Sequence, residues 1–303
     1  MKKITIPTAL LSILLFSSCR KKNNKIKISP IKEPKTITVW IHGSRVLPEF
    51  HPQELFYAPK GLNAITDVDK NLFKYKYAKT LSQKNPERFQ KADFYAYGWS
   101  GKINFTEREN VARDLYENLQ NLIQKYKDVD GISPKLRIIT HSHGGNVALN
   151  LATVKDSNDT SFLVDELILL ACPVQERTKD LIKDLTFKRV YSFFSSGDII
   201  QCIDPQRLHK ENRHDKKCPL FSKRRFPAHA KLSQAKVRSH GRGIMHIEYL
   251  FLKFVSKLPQ FLDALDKDFA KRDKTYNPEK IKYDFLAVDL HTKKAPKRYK
   301  NKR

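Results

Sequence analysis

Apolar residues recur along this chain with two different periods, and their alternation predicts most of its elements. Short runs rich in β-branched and aromatic residues read as strands: Lys35–Ile41 (KTITVWI), Ala92–Tyr97 (ADFYAY), Leu136–Thr140 (LRIIT), Glu166–Ala171 (ELILLA) and Arg189–Phe194 (RVYSFF). A weaker run, Ala235–Arg238, precedes the last long apolar stretch. Between the runs the period lengthens. Val111, Leu115, Leu119, Leu122, Ile123 and Tyr126 share one helical face, behind a predicted capping box of Thr106 and Glu109. Gly145–Val154 is apolar on most sides, as a buried helix behind a central strand should be. Ile247–Leu265 reads as a long helix that Pro259 should kink or split. Strands alternating with helices predict an α/β fold with a mostly parallel sheet covered on both faces.

The first residues stand outside this pattern. Lys2 and Lys3 precede an apolar stretch, Ile4 to Phe16, that ends in Ser17-Ser18-Cys19. Residues 1–18 therefore read as a signal peptide. The small residues before Cys19 resemble the lipobox of a bacterial lipoprotein, in which that cysteine becomes the lipidated N-terminus. Residues 19–35 would then be a solvated tether, 36–272 the main domain and 273–303 a basic tail. Segment 47–91, with Pro48, Pro52, Pro59 and Pro86, is long for a crossover and is expected to form a cap near the site.

Charge sharpens this outline. The formal net charge is +26, and it thickens in an insertion at 202–228 and in the tail. No finger, RRM signature or basic zipper accompanies it, so nucleic acid is not the expected partner. An anionic membrane surface suits an anchored chain better, with a plain solvated basic face as the bland alternative. Cys202 and Cys218 bracket the insertion and offer a disulfide in an oxidising envelope. With His209 and His214 they also offer zinc-like spacing, or they stay as two thiols; Cys172, inside ILLACPV, reads as a buried thiol.

The candidate chemistry sits in THSHGGNVAL, Thr140–Leu149. Ser142 falls just beyond a predicted strand and just before a predicted helix, where a nucleophile elbow must lie. Such a turn packs closely on its neighbours, so small residues are needed two positions before and after the serine. Gly144 and Gly145 meet that demand on one side, and Thr140 stands on the other. Thr140-His141-Ser142-His143-Gly144-Gly145 resembles the H-S-x-G-G elbow of the lipase/esterase branch of the α/β-hydrolase superfamily. Trp40-Ile41-His42-Gly43-Ser44 is similar to the oxyanion turn of those enzymes. Tyr97-Gly98-Trp99-Ser100-Gly101, with Arg108 after it, is similar to the next segment of some bacterial members. The likeness runs from about residue 36 to about residue 256.

That resemblance implies the α/β-hydrolase fold and the chain order serine, acid, histidine. Asp198 is the expected acid, with Asp204 as its rival; Asp165 precedes a strand and lies at the wrong end of the sheet. His246 is the expected base, with His240 as its rival. His141 and His143 flank the serine too closely to swing back to it. Backbone N–H groups of Ser44 and His143 would hold the oxyanion. The implied activity is hydrolysis of carboxylic esters, lipid esters foremost, by a membrane-anchored envelope enzyme that needs no metal or cofactor. The alternative is a non-catalytic envelope lipoprotein that uses the same scaffold for binding.

Overall fold

Each predicted strand forms, and its apolar positions divide between the two faces of one sheet. In the computed structural model, residues 33–45, 58–154, 162–208, 218–272, 276–292 and 295–302 are described. The signal segment, Cys19, most of the tether, residues 47–57 of the expected cap, and His209 and His214 lie outside them.

The strands are β1 (Thr36–Ile41), β2 (Gly61–Ala64), β3 (Phe94–Gly98), β4 (Lys135–His141) and β5 (Val164–Leu170). β6 (Val190–Phe194), β7 (Leu232–Ser239), the short β8 (Arg242–Gly243), β9 (Ile281–Asp289) and β10 (Lys297–Lys302) follow. Their order across the sheet is β10-β9-β7-β6-β5-β4-β1-β3-β2, with β8 paired to β7. From β3 through β9 this path is parallel, and β2 and β10 close its edges antiparallel. All the central strands therefore end on the same side. This is the α/β-hydrolase arrangement.

Alternation along β1 shows how the layers are built. Ile37, Val39 and Ile41 join one buried cluster, and Trp40 joins the other. On the Trp40 side lie α1 (Phe73–Lys84) and α5 (Leu252–Ala270), with Tyr77, Leu81, Phe254 and Leu258 fully buried. On the opposite side lie α2 (Phe105–Asp130), α3 (Gly144–Leu149) and α4 (Leu151–Val154), which bury Leu115, Leu119, Val147 and Leu149. Burying each such side chain is worth about 1.5–3 kcal/mol, so the two clusters dominate the stability of the fold.

Three local expectations need correction. The cap of α2 is Asn104, whose side chain accepts the Glu107 N–H at 2.9 Å, so Thr106 and Glu109 lie inside the helix. Asn104 is extended and sits directly ahead of the buried Phe105, which places it where a first-turn donor must be met. The last helix is not divided at Pro259, which lies within α5; the break falls at the extended Phe251, after a 3-10 turn over His246–Leu250. The described part of the expected cap, 58–91, supplies β2 and α1. Finally, the expected basic tail is largely sheet: β9 pairs with β7 and buries Ile281, Leu286 and Val288, so the folded unit runs on past residue 272.

Candidate active site

Ser142 occupies the turn between β4 and α3 with φ of 52°, a left-handed conformation that costs an ordinary residue about 1–2 kcal/mol. Backbone bonds hold it there. Ser142 N donates to Leu170 O at 2.9 Å, and Gly145 N donates to Ser142 O at 3.0 Å. The surrounding glycines are required by close approach. A Cβ on Gly144 would stand 2.4 Å from His42 O, and one on Gly43 would stand 2.7 Å from Ser142 Cβ. The serine turn and the His42-Gly43 turn are thus interlocked through two missing side chains. Thr140 is fully buried in β4, and its hydroxyl donates to Ile168 O at 3.3 Å, which meets its polar atom within the sheet.

Asp198 follows β6 and is fully buried. Its Oδ1 accepts the Gln201 N–H at 2.9 Å, and its Oδ2 lies 2.9 Å from His246 Nδ1. Both carboxylate oxygens are therefore engaged, as a buried charge requires. The loop that carries it is pinned by Arg224 Nε, which donates to Asp198 O at 2.9 Å, and by the contact of Gly197 with Gly243. His246 has one nitrogen tied to this carboxylate, which fixes the ring and leaves Nε2 as its basic atom.

His141 ends β4, and its Nε2 lies 3.0 Å from the His246 carbonyl oxygen. The two rings sit 4.6 Å apart. Burial, and then the neighbouring His246, push the His141 ring well below the usual imidazole range, so it stays neutral. Sequence reasoning set His141 aside because it cannot reach Ser142. Its partner is instead the backbone of residue 246, a tertiary contact that spacing along the chain does not encode.

His42 is also neutral, lowered to about 4 chiefly by burial. Its Nε2 accepts the Trp99 N–H at 3.2 Å, so the proton resides on Nδ1, which donates to Gly43 O at 2.7 Å. Trp99 Nε1 in turn donates to His42 O at 2.8 Å. The segments that carry the resemblance at 40–44 and 97–101 are therefore bonded to each other. Ser44 follows directly, half-buried, and Arg45 N donates to Gly101 O at 2.8 Å.

The rival residues go elsewhere. Asp204 faces His143, with Oδ1 3.7 Å from Nε2, and its Oδ2 accepts from Gln175 Nε2 at 2.5 Å. Gln175 Oε1 lies 3.5 Å from Nη2 of the fully buried Arg108. Burial holds that guanidinium down to about 10, against the raising pull of Asp204. Arg108, Gln175, Asp204 and His143 thus form a buried polar chain behind the serine turn. His240 stacks on His291 with ring centres 3.4 Å apart. Asp165 Oδ2 accepts the Leu136 N–H at 3.0 Å, at the far end of the sheet.

Cys202 and Cys218 carry free thiols, one of the alternatives the sequence leaves open. Cys218 is buried, and its carbonyl oxygen accepts from the guanidinium of Arg207 at 2.9 Å, so local contacts rather than a cross-link seat this end of the insertion. Cys172 is buried against Gly145, where burial raises its thiol well above the usual range. Among the described residues, no group of three His, Cys, Asp or Glu side chains is arranged to hold a metal ion.

No protein-family model matches the sequence, and no curated protein matches it. Solved structures do resemble the fold. Lipase B of Aspergillus fumigatus aligns with a TM-score of 0.38 and 12% identity, over 81% of this chain and 54% of that one. An arylesterase aligns with a TM-score of 0.39 and 10% identity, over 79% and 78%. Phospholipase PlaB of Legionella pneumophila aligns with a TM-score of 0.29 and 17% identity, over 46% and 25%. The chain spans a quarter of that phospholipase and about half of that lipase.

Proposed function

We propose that this chain is a serine hydrolase that cleaves carboxylic esters, lipid esters foremost, through an acyl-enzyme on Ser142. The observation that carries the reading is the 2.9 Å contact of His246 Nδ1 with the fully buried Asp198 carboxylate, in a chain whose Ser142 occupies a left-handed strand-to-helix turn. In this reading His246 Nε2 takes the Ser142 proton as the oxygen attacks the ester carbonyl. The backbone N–H groups of Ser44 and His143 stabilise the oxyanion, each worth roughly a hundred- to thousandfold in rate. His246 then returns the proton to the leaving alcohol, and a water, activated by the same ring, frees the acid and restores the serine. Asp198 keeps the proton of the resting ring on Nδ1 throughout.

The substrate class rests on the N-terminal pattern. An acyl group on Cys19 would hold the chain at a membrane of the bacterial envelope, where lipid esters are concentrated and where a basic surface favours anionic headgroups. The test is covalent labelling of the full chain by a fluorophosphonate, beside Ser142→Ala and His246→Ala. Labelling that both substitutions abolish supports the reading. A folded parent that stays unlabelled refutes it and leaves a scaffold used for binding.

A further inference from the structure

Beyond the bond by which Arg224 holds the Asp198 loop, the basic insertion has no role in the proposed chemistry, yet it lines a cavity. Residues 222–227, with Phe194 at the end of β6, Lys236 of β7 and Lys282, Tyr283 and Phe285 of β9, line a half-open cavity of about 840 Å³. Lys223, Arg224, Arg225, Lys236 and Lys282 line it, and among the described residues none of these five forms an ion pair with a carboxylate. A sixth cation of the wall, Lys179, is matched by Glu176. The rest of the lining holds Ser196, Ser222 and Cys202, with Glu176 as its one carboxylate among the described residues, beside the apolar Phe194, Phe226, Tyr283 and Phe285.

Two of the cations are set in place rather than waving in solvent. The Arg225 guanidinium lies 3.9 Å from the centre of the Tyr283 ring and 5.8 Å from that of Phe285, so its planar fork is held against an aromatic wall. Arg224 is anchored by its bond to Asp198 O. Lys236 is partly buried, and its ammonium is lowered first by burial and then by Arg238, Arg225 and Arg224. Like charges gathered on a half-dry apolar wall repel one another. An anion placed among them relieves that cost and gains charge-assisted bonds.

We propose that this cavity binds an organic phosphate, the charged group held by Arg225, Lys236 and Lys223 and an apolar or ring-bearing body lying on Phe194 and Phe285. A phospholipid headgroup and a soluble phosphate ester share that chemistry. Ser142 and His246 are not among its lining residues, and the proposal stands whether or not the serine is catalytic.

The experiment uses the full chain in detergent, with calorimetric titration of glycerol phosphate in one arm. In the other, co-sedimentation compares vesicles of phosphatidylcholine alone with vesicles that also carry phosphatidylglycerol. Arg225→Gln with Lys236→Gln is set beside Lys102→Gln, a control cation outside the cavity, and near-UV circular dichroism verifies that all are folded. The expected result is saturable binding by the parent, weakened at least tenfold by the double variant and unchanged by the control. Binding in the titration arm assigns a soluble ester, and phosphatidylglycerol-dependent sedimentation alone assigns a headgroup. No binding in either arm, or equal weakening by the control and the double variant, overturns the proposal.

Discussion

His141 Nε2 sits 3.0 Å from the carbonyl oxygen of His246, so the residue before the candidate nucleophile grips the backbone of the candidate base. The ring at 246 is thereby fixed from two directions, by Asp198 at its edge and by His141 through the main chain. His141→Phe keeps the ring volume and removes the bond. A hydrogen bond of this kind is worth about 1 kcal/mol, so the fluorophosphonate labelling rate should fall about five- to tenfold, with the serine still labelled at long times. An unchanged rate would remove His141 from any positioning role.

The two candidate acids separate cleanly. Asp198→Asn should lower ester turnover by about 10⁴-fold, because an amide no longer holds the ring in its working tautomer. Asp204→Asn, whose partners are His143 and Gln175, should cost no more than about tenfold through slackening of the serine turn. Reversal of that order in steady-state kinetics would move the acid to Asp204.

Strain at the serine gives a prediction independent of activity. With φ at 52°, Ser142→Gly relieves a left-handed conformation that Ser142→Ala retains. Urea unfolding should find the glycine variant more stable than the alanine variant by about 1 kcal/mol. Gly144→Ala, by contrast, forces a methyl to within 2.4 Å of His42 O and should destabilise by about 1–3 kcal/mol.

Buried neutral histidines fix the sign of the acid response. His42 titrates near 4 in the folded chain and near 6.5 when unfolded, so its stability contribution is complete above about pH 6.5. It is lost as pH falls through that window to about 4, a change of about 3 kcal/mol. His141 adds in the same sense. Urea midpoints at pH 7 and pH 5 should show the fall, and His42→Gln should flatten it; a pH-independent midpoint between these values would refute the assignment.

The strands past residue 272 are expected to be structural. Leu286→Ala, in β9 and packed with the core on the α1 and α5 side, should cost about 2–5 kcal/mol by thermal or urea unfolding. A loss below 1 kcal/mol would mean that β9 is an appendage to a sheet complete without it.

These cases show what the chain makes legible. The buried parallel strands are short apolar runs set between breakers, so β1, β3, β4, β5 and β6 could be read within two or three residues of their ends. Strand β9 (IKYDFLAVD) could not, because it is buried on alternate positions only and lies amid lysines that draw the eye to charge. The same limit applies at the site. The pairing of Asp198 with His246 and the turn at Ser142 are legible because each residue follows a strand. The grip of His141 on residue 246, the chain from Arg108 to His143 and the stacking of His240 on His291 join residues far apart in sequence, and no spacing rule announces them.

Strand β10 ends the sheet, paired to β9 on one side. Among the described residues its other side has no partner strand, the kind of open edge on which a stray strand from another molecule could extend the sheet without limit. Here the lysines do a different service. With Lys297 and Lys300 along this strand, a second copy arriving edge to edge would bring ammonium groups against their own kind, while Arg298 is already paired with Asp284 and Asp268. The charge that first suggested a loose tail guards the border of the fold, and replacing it with threonine and valine would turn that border into a seed for fibres.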